Sequence, residues 1–164
     1  MVSDDELYKL AAKVGHLLVD SQRRLVTAES CTGGWVGKAL TDVPGSSAWF
    51  LGGVVSYHNS LKQALLGVAE ETLAMHGAVS DATVREMALG ALDKIGGDVS
   101  LAVSGIAGPD GGQPGKPVGT VWFGWAWRHG QAVHHRTRLK IIEGSREEVR
   151  RRSVITALNG VLEL

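Results

Sequence analysis

Residues 24–34 read Arg24-Leu25-Val26-Thr27-Ala28-Glu29-Ser30-Cys31-Thr32-Gly33-Gly34. The apolar run at 24–28 contains β-branched side chains and predicts a short strand. Helical spacing of apolar residues resumes at 33–40, so residues 29–32 form the turn between the two elements. A strand that passes into a helix through such a turn is typical of α/β proteins, in which ligands bind beyond the carboxyl ends of the strands.

The rest of the chain continues this alternation of strands and helices. Periodicity and capping residues predict helices at about 4–22, 33–40, 59–66, 70–76, 80–94 and 145–164. Strands are predicted at 24–28, 49–57, 98–104, 118–128 and 131–140. The second strand is apolar on both faces, which is typical of a strand covered on both sides. Since the last two strands form a hairpin, the pattern predicts one three-layer α/β/α domain over residues 1–164, with a mixed five-stranded sheet.

The composition argues against several functional classes. The 164 residues include 17 Lys and Arg against 17 Asp and Glu, and this zero net charge argues against nucleic acid or an anionic membrane as a partner. Cys31 is the only cysteine, so neither an internal disulfide nor a thiolate zinc site is expected. No run approaches the ~18 consecutive apolar residues of a membrane span, and the N-terminus lacks a secretion pattern. We therefore expect a soluble, cytoplasmic protein that needs no metal.

Ser30 lies where the turn can present a nucleophile. Gly33 and Gly34 leave backbone N–H groups unobstructed, which suits an oxyanion hole or a phosphate cradle. Two other interpretations stay open from these residues alone. Ser30 or Thr32 could simply cap the following helix, or Cys31 could be the nucleophile, although a lone cysteine is more often an inert buried side chain.

A candidate base follows the second predicted strand. Residues 57–62 read Tyr57-His58-Asn59-Ser60-Leu61-Lys62, with Asn59 as the predicted helix cap. A lysine that is desolvated in a cleft loses its proton more easily and can activate a serine hydroxyl. The alternative for Lys62 is an ordinary solvated lysine on a helix.

Ser104 is a third candidate at the same edge of the sheet as Ser30 and Tyr57. It ends the third predicted strand, where it could contact substrate or lysine, and a turn-forming role is the alternative. The glycine-rich loop that follows is not a P-loop, because Pro117 replaces the required Ser or Thr and a strand rather than a helix comes next.

Arg146 follows the predicted cap Ser145, at a helix end where the dipole disfavours a cation. An anionic ligand such as a phosphate would compensate, and so would the neighbouring Glu147 and Glu148. The three consecutive arginines at 150–152 are predicted to form a mostly solvated face.

Five motifs follow one another along the chain. They are Thr27-Ala28-Glu29-Ser30-Cys31-Thr32-Gly33-Gly34, Tyr57-x-Asn59-x-x-Lys62, His76-Gly77-Ala78-Val79-Ser80, Ser104-Gly105-Ile106-Ala107-Gly108-Pro109 and Lys116-Pro117-Val118-Gly119-Thr120-Val121. Together they closely resemble the CinA C-terminal domain family, from about residue 5 to the end. The sequence differs from the usual family pattern at Ser104, where threonine is usual, and at Ser145, where aspartate is common.

The resemblance implies a mixed five-stranded sheet and an activity found in this family, the deamidation of nicotinamide mononucleotide to nicotinate mononucleotide and ammonia. It implies that Ser30 is the nucleophile and Lys62 its base, with Tyr57 beside them. The residues expected to bind substrate are Thr32, Gly33, Gly34, Asn59, Ser104, Gly105 and Arg146, with the backbone N–H groups of the Thr32-Gly33-Gly34 turn expected to hold the oxyanion. The resemblance implies no cofactor and a homodimer or higher homo-oligomer. The alternative function is a catalytically silent nucleotide-binding module of the same fold.

Overall fold

A computed structural model describes residues 2–164. The helices are α1 (Asp4–Asp20), α2 (Trp35–Thr41), α3 (Asn59–Leu66), α4 (Glu70–His76), α5 (Asp81–Lys94) and α6 (Arg146–Leu162). The strands are β1 (Leu25–Glu29), β2 (Phe50–Val55), β3 (Val99–Gly105), β4 (Thr120–His129) and β5 (Ala132–Ile141). A short 3-10 turn at Ser46–Ala48 precedes β2. The predicted strands and helices are all present, with ends that differ by a few residues.

The five strands form one mixed sheet in the order β2-β1-β3-β4-β5. β1 pairs in parallel with both β2 and β3, whereas β4 runs antiparallel to β3 and β5. The carboxyl ends of β1, β2 and β3 therefore meet at one edge of the sheet. This arrangement places the segments after Glu29, Val55 and Gly105 next to one another.

Helices cover both faces of the sheet, which confirms the three-layer α/β/α prediction. α1, α2 and α6 pack on one face, and α5 packs on the other with α3 and α4 beside it. The largest buried side chain is Trp125, whose Nε1 donates a hydrogen bond of 3.0 Å to the Ala157 carbonyl. A Cβ atom at Gly160 would lie 2.0 Å from the Trp125 ring, so only glycine lets α6 approach β4 this closely.

The prediction that the second strand is buried on both sides is wrong. β2 lies at the edge of the sheet, and its side chains alternate between partly buried and exposed, with Leu51 44% and Val55 45% exposed. Apolar composition alone does not separate a central strand from an edge strand, because much of a folded surface is apolar. Gly53 lets β2 lie close to β1, since a Cβ atom there would meet the Thr27 side chain.

The helix caps agree with the sequence at Ser3, Ser80 and Ser145 and differ at one position. α1 and α6 begin with the predicted capping boxes, formed by Ser3 and Ser145 with the glutamates three residues on. α3 is capped by His58, whose Nδ1 accepts from the Ser60 N–H at 3.2 Å. Asn59 is thus the first residue of the helix, and its prediction as the cap is wrong.

Candidate active site

A cavity of about 280 Å³ opens where the carboxyl ends of β1, β2 and β3 meet. Its wall includes six of the residues proposed from the sequence, namely Ser30, Tyr57, Lys62, Ser104, Gly105 and Arg146. Cys31 and residues of the loop after β3 complete much of the remaining wall. The parallel pairing of β1 with its two neighbours is what brings these separate segments together.

Ser30 and Lys62 are in direct contact in this cavity. Ser30 follows β1, and its N–H donates to the Val103 carbonyl at 2.9 Å, which fixes the start of the turn. Lys62 reaches across from α3, and its Nζ lies 3.0 Å from Ser30 Oγ. Nζ also donates to the carbonyls that follow β2, those of Ser56 at 2.7 Å and Tyr57 at 3.2 Å. A neutral amine in this position can donate to both carbonyls and turn its lone pair toward the serine hydroxyl.

Lys62 is only 1% exposed, so the alternative of a solvated helix lysine is wrong. All three of its hydrogen-bond partners are uncharged. Burial disfavours the ammonium form and lowers the pKa of Lys62 from 10.5 to about 8. The neutral amine is therefore far more populated at neutral pH than in a solvated lysine, although the ammonium form still predominates there.

Cys31 lines the same cavity, but its environment makes it less reactive, whereas the environment of Lys62 favours the reactive neutral amine. Its side chain is 6% exposed, and burial raises the pKa of the thiol to about 12. The thiolate is the nucleophilic form of cysteine, and it is scarce at neutral pH under these conditions.

Glu29 organises the turn behind Ser30, and sequence reasoning missed it. Its carboxylate is 2% exposed and accepts hydrogen bonds from the Thr32 hydroxyl at 2.7 Å and from the N–H groups of Val36 and Gly37 at 2.8 and 3.0 Å. It therefore supplies the first turn of α2 with acceptors, since Gly34 at its N-terminus has no side chain. A carboxylate six residues before a helix was the available signal.

Four residues expected to bind substrate lie outside the cavity wall. Thr32 is fully buried against Glu29, and the Gly33 N–H donates to the Ser30 carbonyl at 3.0 Å. Gly34 has a φ of +93° and begins α2, a conformation that favours glycine. Asn59 is exposed at the start of α3.

Arg146 and Tyr57 meet at the mouth of the cavity. Arg146 Nη1 donates to the Gly108 carbonyl at 2.7 Å, and Nη2 donates to the Tyr57 hydroxyl at 3.1 Å. The glutamates that follow Arg146 are engaged elsewhere, Glu148 in the helix cap and Glu147 with Arg151. Arg146 thus meets only neutral acceptors in these two contacts and keeps further N–H donors for an anion.

Ser104 and Gly105 form the wall contributed by β3. The Ser104 hydroxyl donates to the Ala78 carbonyl at 2.7 Å, which ties the end of β3 to the segment before α5. A Cβ atom at Gly105 would lie 2.7 Å from the Val121 side chain, so glycine lets β3 and β4 pack closely here.

The prediction of a mostly solvated arginine face at 150–152 is wrong for Arg150 and also for Arg151, whose side chain is only 14% exposed. Arg150 is partly buried, and its Nε and Nη2 donate to the carbonyls of Cys31 and Thr32, each at 3.1 Å. Helical spacing identifies the side of α6 on which Arg150 lies, but it cannot reveal that the turn after β1 packs there.

Neither a metal-binding cluster nor a membrane-spanning helix is present in residues 2–164. Within this part of the chain, no group of three or more His, Cys, Asp or Glu side chains is arranged to hold a metal ion. None of the helices in it is long and apolar enough to cross a membrane.

Comparison with known proteins shows which family the chain belongs to. The model of the CinA C-terminal domain matches residues 7–164. A protein of Escherichia coli (strain K12) named nicotinamide-nucleotide amidohydrolase PncC is 50% identical over 157 residues, which cover 96% of this chain and 93% of that protein. A Pseudomonas putida protein of the same name is 48% identical over 160 residues and is covered to 98%, as is this chain.

Solved structures show the same architecture. A competence damage-inducible protein A from Klebsiella pneumoniae superposes with a TM-score of 0.90 at 43% identity, over 96% of this chain and 95% of that one. A competence/damage inducible protein from Agrobacterium tumefaciens gives a TM-score of 0.90 at 39% identity, over 99% of this chain and 96% of that one.

Proposed function

This chain belongs to the CinA C-terminal domain family, and from that premise we propose that it deamidates nicotinamide mononucleotide to nicotinate mononucleotide and ammonia. Ser30 is the nucleophile in this proposal and Lys62 is its base. The observation that carries it is the 3.0 Å contact between Ser30 Oγ and the buried Nζ of Lys62, whose pKa is lowered to about 8. The relatives named nicotinamide-nucleotide amidohydrolase, at about half identity over nearly the whole chain, support the choice of substrate.

The first chemical step transfers the Ser30 proton to neutral Lys62. The carbonyls of Ser56 and Tyr57 hold the amine in place, so its lone pair is directed at the hydroxyl. Ser30 Oγ then bonds to the carboxamide carbon, and the C=O electron pair moves onto oxygen to give a tetrahedral oxyanion.

The oxyanion needs N–H donors that are not already used. In the turn after β1, the N–H groups of Ser30 and Gly33 are committed to backbone carbonyls. The amides of Cys31 and Ala107 belong to residues on the cavity wall and donate to no other backbone group within residues 2–164. We assign the oxyanion to the Cys31 amide, because the N–H of the residue after the nucleophile serves this purpose in other serine hydrolases.

Collapse of the intermediate returns the proton. The Lys62 ammonium protonates the carboxamide nitrogen, the C–N bond breaks, and ammonia leaves a nicotinoyl ester on Ser30. Water then attacks this ester while Lys62 accepts a proton from it. As the ester bond breaks, Lys62 returns that proton to Ser30 Oγ, and the acid product loses its own proton to solvent to become the carboxylate.

Binding of the phosphate is assigned to Arg146 at the mouth of the cavity. Its guanidinium makes one bond to Gly108 and one to Tyr57, and it has N–H groups left for a phosphate oxygen. Tyr57 therefore contributes twice, since its carbonyl holds Lys62 and its hydroxyl holds Arg146. Ser104 and Gly105 form the wall beside the reacting group.

The direct test is to incubate the purified protein with nicotinamide mononucleotide and to quantify ammonia and nicotinate mononucleotide. The expected result is equal amounts of both products from the parent and neither from Lys62→Met, which keeps an apolar side chain of similar length without the amine. Calorimetric binding of the mononucleotide without product would refute deamidation and would favour the silent nucleotide-binding module.

A further inference from the structure

We propose that Arg150 is a positioning residue, which holds the turn after Ser30 so that the turn can stabilise the oxyanion. This inference rests on the proposed serine chemistry. Arg150 lies one helical turn after Arg146 on α6 and contacts the nucleophile turn from the side of the sheet that α6 covers.

The guanidinium of Arg150 joins two consecutive carbonyls. Its Nε donates to Cys31 and its Nη2 to Thr32, each at 3.1 Å, across 119 and 118 residues of sequence. The planar fork of arginine suits two acceptors held side by side, and lysine cannot reproduce this arrangement. The orientation of two successive peptide groups is thereby fixed from one side chain.

The remaining contacts of the turn show why Arg150 matters. The Ser30 carbonyl accepts from the Gly33 N–H, and the Thr32 carbonyl also accepts from the Trp35 N–H. Within residues 2–164, Arg150 is the only protein donor to the Cys31 carbonyl. The Cys31 N–H proposed to bind the oxyanion belongs to the same peptide as the Ser30 carbonyl, which accepts from the Gly33 N–H. The Gly33 N–H belongs in turn to the same peptide as the Thr32 carbonyl, which Arg150 holds. Without Arg150, these linked peptides lose one of their anchors, and the Cys31 N–H loses part of what fixes its direction.

Gly33 gives Arg150 the room to approach. Its φ is +61°, and a Cβ atom there would lie 3.2 Å from Arg150 Nη2, closer than side chains normally come. The glycine is thus explained by its left-handed backbone and by a close contact on the side of α6, since Gly33 does not line the cavity.

The positive charge of Arg150 should also favour the oxyanion, in addition to the hydrogen bonds that position the turn. Arg151 pairs with Asp4 and Glu147, whereas no carboxylate in the described part of the chain pairs with Arg150. The guanidinium stacks on the Trp35 ring, 5.4 Å from its centre. Burial dominates the pKa of Cys31 and raises it, but the Arg150 charge opposes this by favouring the anionic form. A negative charge that develops at the neighbouring Ser30 is favoured for the same reason.

The experiment compares Arg150→Ala with Arg151→Ala, because both side chains stack on Trp35 and only Arg150 contacts the turn. For nicotinamide mononucleotide we expect kcat of Arg150→Ala to fall by roughly ten- to a hundredfold with KM nearly unchanged, as for a lost transition-state interaction. Arg151→Ala should keep a near-parental kcat. Millimolar guanidinium chloride should restore part of the kcat of Arg150→Ala, which a loss of helix packing alone does not predict.

A second readout separates this inference from the choice of substrate. A fluorophosphonate probe labels an activated serine and places its own phosphoryl oxygen in the oxyanion site, so its labelling rate at Ser30 needs no nucleotide. We expect slower labelling in Arg150→Ala than in both the parent and Arg151→Ala. Equal kcat and equal labelling in Arg150→Ala and parent would overturn the inference and leave the proposed function standing. Absence of both turnover and labelling in the parent would overturn the serine chemistry and the inference with it.

Discussion

Lys62 Nζ lies 3.0 Å from Ser30 Oγ, although the two residues are 32 positions apart and follow different strands. Parallel pairing of β1 with β2 brings them together, because both strands end at the same edge of the sheet. The lysine is buried among uncharged partners and has lost most of its preference for the ammonium form. This contact is the basis of the proposed mechanism.

The first prediction concerns the pH dependence of the rate. Lys62 acts as a base only when neutral, so kcat/KM should rise about tenfold per pH unit below pH 8 and level off above it. A guanidinium cannot accept a proton, so Lys62→Arg should show no measurable turnover at any of these pH values. A pH profile of both proteins checks this, and a flat parental profile across pH 8 would exclude Lys62 as the base.

The same pKa predicts how stability changes with pH. The pKa of Lys62 is about 8 in the folded protein and 10.5 in its ordinary state, so the unfolded chain binds more protons between these values. The free energy of unfolding contributed by this site therefore rises with pH across that interval and is lowest below it. Relative to Lys62→Met, the free energy of unfolding of the parent should rise by a few kcal/mol between these two pH values, since each pKa unit corresponds to about 1.4 kcal/mol. Urea unfolding of both proteins near pH 8 and near pH 10.5 measures this, and a constant difference would contradict it.

Much of the fold could be predicted from the sequence because strand and helix periodicities are local. The alternation of elements led to five strands and a mixed sheet, and the turn after β1 identified the edge where the cavity lies. The edge position of β2 could not be predicted, since the order of strands depends on which pairs form. Leu51 and Val55 look like core residues in the sequence and are nearly half exposed in the structure.

Residues of the candidate site could be predicted from the sequence only where they belong to a local motif. Ser30 directly follows β1 and Lys62 lies on the helix that follows β2, so their meeting follows from the parallel pairing of these two strands. The roles of Glu29 and Arg150 depend on which elements pack behind the turn. Arg150 reaches that turn from a helix 118 residues further on, and no local spacing encodes such a contact.

Glu29 should matter for the stability of the fold. Its two carboxylate oxygens accept hydrogen bonds from one hydroxyl and two N–H groups. In Glu29→Gln, an NH₂ group replaces one of these oxygens and cannot accept hydrogen bonds from the groups that face it. Leaving buried groups unpaired costs about 1–3 kcal/mol, so urea unfolding should show a loss in this range. Thr32→Val, which removes only the hydroxyl, should lose less. Equal stability of Glu29→Gln and parent would show that the carboxylate does not hold α2.

Arg146 should be needed for the phosphate of the substrate. Arg146→Ala removes a charge-assisted contact worth about 1.5–3 kcal/mol, or roughly ten- to a hundredfold in kcat/KM for nicotinamide mononucleotide. Nicotinamide riboside lacks the phosphate, so it should react poorly with the parent and lose little more in the variant. Measuring kcat/KM for both substrates with both proteins shows whether the loss depends on the phosphate. Equal losses for the two substrates would mean that Arg146 instead holds the loop at Gly108 or the side chain of Tyr57.

The identity of the nucleophile is tested most directly by ammonia release from nicotinamide mononucleotide in Ser30→Ala and Cys31→Ala, measured beside the parent. Cys31 lines the same cavity, but burial raises its pKa to about 12, which leaves little thiolate to react. We predict that Cys31→Ala keeps most of the parental kcat, while Ser30→Ala loses it by about a thousandfold or more, as when a nucleophile is removed from a catalytic unit. Near-parental turnover by Ser30→Ala, together with loss of turnover in Cys31→Ala, would contradict the assignment of Ser30.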